Sequence, residues 1–325
     1  MANLKTQYAG LTLQSPIIVS SSGLTMHPER NKEFEKAGAG AIVLKSLFEE
    51  QIEMQGDTML QESGYPEAAD YIRGYVKANQ VENYLNLIRQ TKALCTVPII
   101  ASINCYRADT WIEFAKHLEE AGADALELNV FELDTDIHSK GGEMQKLYVN
   151  ILKQVKKEIS IPVTVKLGKY TSNLPALVNQ LHANGADGVV LFNRFYRPDI
   201  DINTLQIVSG NVFSNHGDLS DTLRWTAIVS GKLPNVSISA STGVHDWEDV
   251  IKCLLAGASA VQMCSALYTH GAELISQILT CIDEWMHQEN FNAISDFIGR
   301  LNYANIPNPT LYERSQFMKY FSNRD

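Results

Sequence analysis

The chain has 325 residues, of which 45% are hydrophobic and 20% are charged, and its formal net charge at pH 7 is -10. This length and composition exclude a disordered chain and suffice for one large α/β barrel or two smaller domains. The acidic balance argues against a nucleic-acid partner, because binding to phosphates requires a basic face. The class that fits these properties is an enzyme acting on a small molecule.

The sequence carries no targeting or metal-binding signal. The N-terminus, MANLKTQYAG, has no basic segment followed by an apolar core, and no apolar run reaches the length of a membrane span. The five cysteines are widely spaced without a C-x-x-C pair, and the histidines form no H-E-x-x-H motif. We therefore expect a cytoplasmic protein with no disulfides, no bound metal and no membrane partner.

Short apolar runs alternate along the chain with segments of helical period, which is the pattern of βα units around a parallel sheet. Three of the helical segments, 109–124, 174–187 and 246–259, end in AGAD, NGAD or AGAS, where a glycine can adopt the left-handed helix cap. The eight predicted strands are 16–20, 41–45, 98–104, 125–129, 162–166, 188–193, 236–240 and 260–264.

Eight parallel strands can close as a (β/α)8 barrel or remain an open, doubly wound sheet. The open sheet would carry G-x-G-x-x-G in its first βα turn, and SSSGLTMHPE at 20–29 contains no such motif. We therefore predict an α/β TIM barrel, a single domain over 1–325, with long insertions after strands 2 and 6 and a C-terminal extension at 302–325. The insertions correspond to 46–97 and 194–235, and long loops of this kind are usually functional.

The carboxyl ends of the predicted strands form the second pattern, because the active site of a barrel lies there. The end residues are small or polar, and the long side chains among them are Lys45, Asn104, Asn129, Lys166 and Asn193. Contact with water explains polar residues at some strand ends, but not the restriction to lysine and asparagine. Two ammonium groups and three amides suit a planar heterocycle that becomes anionic on reduction, as a flavin does.

The last two predicted strands are each followed by a turn that leads directly into a helix, in STGVHDWED (241–249) and CSALYTHG (264–271). Backbone N–H groups at two such helix starts would face an anion where barrels bind phosphate. Ordinary capping by Thr242 or Ser265 explains either turn alone. The pair together favours a phosphorylated cofactor.

With these motifs in order, the chain resembles the dihydroorotate dehydrogenase family, and especially the barrel domain of dihydropyrimidine dehydrogenase. The resemblance covers about residues 4–300 and implies an FMN-binding (β/α)8 barrel, a pyrimidine-like substrate and a homodimer. It also implies that a hydride passes from a saturated pyrimidine carbon to flavin N5 while a base removes a proton from the adjacent carbon. The similar stretches are IIASINCYRADTW (99–111), GADALELN (122–129), PVTVKL (162–167), GADGVVLFN (185–193), STGV (241–244) and AGASAVQMCSAL (256–267).

The resemblance assigns a role to individual positions of this chain. Lys45, Glu67, Asn129, Asn193 and Arg194 would contact the substrate, and Glu132 and Lys45 would take part in the chemistry. Lys166 would supply positive charge near flavin N1 and the C2 carbonyl. The full set of expected FMN contacts is Ser21, Ser22, Gly23, Lys45, Asn104, Asn129, Lys166, Asn193, Ser220, Thr242, Gly243, Cys264 and Ser265.

The chain departs from the family where the proton acceptor is expected. Glu132 occupies the position of a Cys or Ser base, Glu67 that of an Asn, Arg194 that of a Ser or Thr, and Asp221 that of a Gly. Unit charges about 4 Å apart interact by roughly 4 kcal/mol at an effective dielectric near 20, so added carboxylates would weaken the binding of dihydroorotate, which is itself a carboxylate. Arg194 can offset one of these added charges.

Several readings of these departures stay open. Glu132 can serve as a longer general base whose pKa is raised by partial burial, or the pocket can be adapted to a neutral or cationic cyclic amide. Asp134 is expected in a solvated loop. From other classes, the chain can be a non-catalytic flavin- or metabolite-binding barrel, or a phosphate-sugar lyase without flavin.

Overall fold

The computed structural model describes residues 2–63, 69–105, 108–130, 133, 135–139 and 142–314, with the backbone alone at 62–63 and 108–109. Its strands, in chain order, are β1 (Thr6–Tyr8), β2 (Leu11–Leu13), β3 (Ile17–Val19), β4 (Ala41–Val43), β5 (Leu47–Phe48), β6 (Ile99–Asn104), β7 (Ala125–Asn129), β8 (Val163–Leu167), β9 (Gly188–Leu191), β10 (Pro198–Asp201), β11 (Gln206–Ser209), β12 (Ser237–Ser241) and β13 (Ala260–Met263).

Eight of these strands, β3, β4, β6, β7, β8, β9, β12 and β13, form a closed parallel barrel. Each pairs with its neighbour in chain order, and β13 pairs with β3, with Val261 opposite Ile17, to close the ring. All eight predicted strands are confirmed, within two residues at either end. Their residues are almost all buried, because parallel strands covered by helices are apolar on both faces.

The helices that follow the strands cover the barrel. The helices of the described chain are α1 (Pro28–Lys36), α2 (Glu49–Ser63), α3 (Ala69–Leu94), α4 (Ala108–Glu120), α5 (Glu143–Glu158), α6 (Leu174–Ala183), α7 (Leu219–Lys232), α8 (Trp247–Leu255), α9 (Ser265–His270), α10 (Glu273–Gln288) and α11 (Thr310–Glu313), the last of which has no buried residue. The predicted glycine caps are confirmed, since Gly122, Gly185 and Gly257 have φ angles of 96°, 99° and 105°.

An N-terminal hairpin, β1–β2, closes the end of the barrel opposite the strand carboxyl ends. Tyr8 and Leu13 are fully buried there against Ile18, Val43 and Ile100, and they form a core cluster separate from the one beneath the helices. The barrel is therefore a packed structure with one open end.

The two predicted insertions have regular structure of their own. After β4, β5 pairs with β6, and α2 and α3 then pack together through Asp57 and Arg73. After β9, β10 and β11 form an antiparallel hairpin whose isoleucines, including Ile202 and Ile207, are exposed. Within the described ranges, no helix is both long and apolar enough to span a bilayer.

Candidate active site

A cavity of about 330 Å³ opens at the carboxyl ends of the barrel strands. This volume lies within the usual range for a small-molecule site. Its wall also includes the segment that follows β9 and the residues after β11. The predicted site residues that line it are Ser21, Lys166, Asn193, Arg194, Thr242, Gly243, Cys264 and Ser265.

Lys166 lies at the inner end of this cavity, and its side chain is almost fully buried. Its Nζ donates to Ser20 Oγ at 3.1 Å and to Gln262 Oε1 at 2.9 Å, and it lies 3.4 Å from Glu127 Oε1. Because three neighbouring groups hold the ammonium, its position is fixed before any ligand binds. It provides a positive charge at a site that excludes most water.

The three predicted asparagines lie together at the ends of β6, β7 and just beyond β9. Asn104 Nδ2 donates to the backbone carbonyl of Asn129 at 2.8 Å, and Asn193 Nδ2 donates to Asn129 Oδ1 at 2.7 Å. These bonds orient the amides relative to one another. They leave the Asn129 and Asn193 groups with further donor and acceptor capacity for the edge of a planar ring.

The turn after β12 has positive φ angles and leaves no room for a side chain at Gly243. Thr242 and Gly243 have φ angles of 79° and 87°, and a Cβ on Gly243 would lie 2.3 Å from the backbone nitrogen of Leu219. Thr242 Oγ1 donates to the Phe192 carbonyl at 3.0 Å, which fixes the turn against β9. The chain therefore passes close to the start of α7 here, with its backbone against the cavity.

Four residues after β11, Asn211–Ser214, cross the cavity beside this turn, and we call them the strap. Arg194 Nη2 donates to the carbonyls of Asn211 and Phe213 at 2.6 and 2.8 Å, and Ser214 N donates to Ser265 Oγ at 3.0 Å. The Phe213 ring lies 5.5 Å from that of Tyr268. The strap thus joins the end of β9 to the start of α9.

Arg194 has a structural contact that the sequence did not indicate. Besides its bonds to the strap, its Nε and Nη1 atoms are buried and have no hydrogen-bond partner among the described residues. Burial, and then the nearby charge of Arg197, lower the pKa of Arg194 from its usual value. In this conformation the guanidinium supports the cavity wall.

Lys45 lies outside the cavity that contains Lys166. It lines a neighbouring space of about 300 Å³ with Phe48, Gln51 and Tyr84, and its Nζ is 4.3 Å from the centre of the Phe48 ring. Burial lowers the pKa of Lys45, so its ammonium is more easily deprotonated than a surface lysine. Asn129 and Lys166 do not line this space.

The remaining predicted residues differ in how closely they approach the cavity. Ser22 caps the short turn that begins at Gly23, accepting a hydrogen bond from Leu24 N at 3.2 Å, and Ser21 Oγ lies 3.0 Å from Ser46 Oγ. Ser220 is exposed in the first turn of α7 and does not line this cavity. Glu67, Glu132 and Asp134 lie outside the described residues.

Sequence reasoning missed Glu127 and Gln262, which contact the Lys166 side chain from within β7 and β13. The signal was available, because each is a polar residue in the middle of an otherwise apolar strand. The predicted site residues lie at the strand ends or beyond them, whereas Glu127 and Gln262 lie inside their strands. Because alternate residues of a strand point to the same face, Glu127 shares a face of β7 with the predicted site residue Asn129.

Comparison with known proteins identifies the family. The sequence model for dihydroorotate dehydrogenase matches residues 3–286. A protein of Aeropyrum pernix, provisionally named dihydroorotate dehydrogenase A (fumarate), is 30% identical over 93% of this chain and 98% of its own length. Two proteins named dihydroorotate dehydrogenase B (NAD(+)), catalytic subunit, are similar: that of Thermoplasma acidophilum is 28% identical over 92% of this chain and 99% of its own, and that of Pyrococcus furiosus 29% over 91% and 98%.

The barrel fold agrees with these matches, which extend over nearly the whole described chain. The chain therefore belongs to the dihydroorotate dehydrogenase family, whose members are FMN-dependent oxidoreductases acting on CH–CH bonds.

Proposed function

We propose that this chain binds FMN in the cavity above Lys166 and oxidises a dihydropyrimidine, with dihydroorotate as the first candidate. The observation that carries the proposal is the donor set of the cavity. At its inner end lie the Lys166 ammonium and the amide of Asn193, which donates to the Asn129 side chain, and at its other end lie the Gly243 turn and Ser265.

This donor set fits both ends of FMN. The ammonium of Lys166 stabilises negative charge on the reduced ring, and the amides can pair with its polar edge. The backbone at Gly243, which carries no side chain, and the start of α9 at Ser265 suit the phosphate. When bound, FMN would supply a hydride acceptor at N5.

The protein residues have separate tasks in this reaction. Asn129 and Asn193 orient the ring edges, and Lys166 holds positive charge at the cavity floor, so that charge developing during the reaction meets a fixed donor. We propose that Glu132 removes the proton from the carbon adjacent to the hydride donor, because the resemblance aligns it with the family's Cys or Ser base.

An anaerobic titration tests the proposal. The FMN-loaded protein is mixed with dihydroorotate, and bleaching of the flavin absorption band is followed. Rapid bleaching in proportion to the substrate added supports dihydroorotate oxidation. No bleaching, with dithionite still reducing the flavin, would show that this substrate is wrong.

A second candidate is a dehydrogenase for an uncharged cyclic amide. Glu67 and Glu132 favour it, since carboxylates stand where the family has neutral residues, and dihydroorotate itself carries a carboxylate. Dihydrouracil is the matched probe because it has the same ring without the carboxylate. Bleaching by dihydrouracil but not by dihydroorotate would favour this second function.

The reduced flavin must pass its electrons to an acceptor, and the identity of that acceptor is tested separately. The similar proteins are named after two acceptors, fumarate and NAD(+). We propose a small-molecule acceptor for this chain. Stopped-flow mixing of the reduced protein with each of these compounds, under argon, distinguishes them by the rate at which the flavin band returns.

A further inference from the structure

Glu127 is a carboxylate enclosed inside the barrel directly below the proposed flavin site. It lies in the middle of β7 and is 1% exposed, and its Oε1 atom is 3.4 Å from Nζ of Lys166 on the neighbouring β8. Transfer of a carboxylate from water to such a position costs several kcal/mol. Its presence therefore calls for a role beyond packing.

The surrounding hydrogen bonds make Glu127 and Lys166 one unit. Gln262 Nε2 donates to Glu127 Oε2 at 2.6 Å, while Gln262 Oε1 accepts from Lys166 at 2.9 Å and from Ser20 Oγ at 3.0 Å. Glu127 Oε1 accepts no hydrogen bond from the described residues, so its main interaction is with the ammonium. Gln262 bridges the two charges and fixes their separation.

Two buried tyrosines whose pKa values are raised by burial and by Glu127 do not offset the charges of this pair. Tyr8 is buried at the closed end of the barrel and Tyr84 is buried beside β6. Burial raises the pKa of both phenols, and the charge of Glu127 adds to the rise. Both tyrosines are therefore uncharged, and the negative charge of Glu127 balances the positive charge of Lys166.

We propose that Glu127 is a positioning residue that holds the Lys166 ammonium and limits the positive potential it presents to the flavin, thereby setting the reduction potential of the bound cofactor. The inference rests on the proposed function, because it concerns the flavin of that site. Lys166 alone would stabilise the anionic reduced flavin strongly. With a carboxylate 3.4 Å behind it, the same lysine stabilises that anion less.

Sulfite provides the test, since it adds reversibly to oxidised flavin and leaves negative charge on the ring. The FMN-loaded wild type and Glu127→Gln are titrated with sulfite, and the midpoint potential is measured with reference dyes. We expect Glu127→Gln to bind sulfite at least about tenfold more tightly than the wild type and to have a higher midpoint potential. A tenfold change in an equilibrium constant corresponds to about 30 mV for a two-electron couple. Glu127→Asp, which draws the carboxylate back from Lys166, should shift both quantities in the same direction by a smaller amount.

Glu35→Gln is the matched control. Glu35 is also a buried carboxylate, but it accepts hydrogen bonds from Thr96 and Val97 ahead of β6, at the end of the barrel away from the cavity. This variant should lose stability without changing sulfite affinity. If Glu127→Gln does not fold, Glu127→Asp still gives the sign of the effect.

Unchanged or weaker sulfite binding by Glu127→Gln, with normal FMN binding, would overturn this inference alone. The sulfite test needs no substrate, so failure of the wild type to oxidise dihydroorotate would leave the expected shift intact. Failure of the wild type to bind FMN would overturn both the proposed function and this inference.

Discussion

Replacement of Lys166 by methionine should be among the most destabilising single changes in the barrel. The variant loses two hydrogen bonds to Ser20 and Gln262, and it leaves Glu127, which is 1% exposed, without its cation. Removing one partner of a buried ion pair typically costs about 3–5 kcal/mol, because the other charge remains uncompensated. A domain is usually stable by only about 5–15 kcal/mol, so the loss is readily measured.

The assay is urea unfolding of the FMN-free protein, followed by circular dichroism. The double variant Lys166→Met/Glu127→Gln should regain at least about 2 kcal/mol relative to Lys166→Met, because no unpaired charge remains. Lys92→Met is the control, since Lys92 pairs with Asp124 2.7 Å away on a surface where both side chains are about one-third exposed, and it should cost about 1 kcal/mol or less. Equal losses for Lys166→Met and Lys92→Met, or a double variant no more stable than the single one, would refute the reasoning.

Three further predictions concern the phosphate turn, the base and acid stability. Gly243→Ala should lower the free energy of unfolding by about 2–4 kcal/mol and weaken FMN binding, since it adds backbone strain and an overlap with Leu219, whereas Gly122→Ala, whose Cβ would meet nothing within 4 Å, should cost only about 1–2 kcal/mol. Calorimetry measures the stability of each variant and flavin fluorescence measures its FMN binding. Equal losses of stability in Gly243→Ala and Gly122→Ala would contradict the argument from overlap with Leu219. Glu132→Gln should abolish flavin reduction by substrate in stopped-flow experiments without altering the visible spectrum of the bound flavin. Asp134→Asn is the control and should reduce the flavin at the wild-type rate. Flavin reduction by Glu132→Gln at the wild-type rate would exclude Glu132 as the base. Burial tends to raise the pKa of Glu35, but hydrogen bonds from Lys32, Thr96 and Val97 lower it from 4.5 to about 2. Its stabilising effect of roughly 3 kcal/mol is therefore present above pH 4.5 and lost as the pH falls towards 2. Glu35→Gln should flatten the acid limb of the stability curve, and an unchanged limb would contradict this assignment.

The sequence predicts the barrel well because its signals are strong and local. Strands that are buried on both faces appear in the sequence as continuous apolar runs. AGAD, NGAD and AGAS each contain a glycine that adopts the left-handed conformation at the end of a helix, so each motif marks a helix end. The hairpin of β1 and β2 was not predicted. Its strands have three residues each, too few to establish an alternating period.

The site was predicted in outline, because barrel topology places every strand end at one face. Lys166, Asn193, Gly243 and Ser265 line one cavity for that reason. The position of a residue at a strand end does not determine the direction of a long side chain. Lys45 extends over the Phe48 ring and lines the separate space of about 300 Å³. Ser220 was assigned by resemblance alone, and the local sequence contains no signal for where the first turn of α7 would lie.

The pairing of β13 with β3 also has a kinetic consequence. The hydrogen bond from Ser20 to Gln262, which crosses this seam, joins residues 242 positions apart. Closing a chain segment of that length costs about 5 kcal/mol of loop entropy, so the ring is expected to close late in folding. A ligand that contacts Ser21 on one side of the seam and Cys264 on the other binds only after closure, and it adds its binding free energy to the closed state. The supply of cofactor during synthesis would then affect the fraction of protein molecules that fold rather than aggregate before β13 pairs with β3.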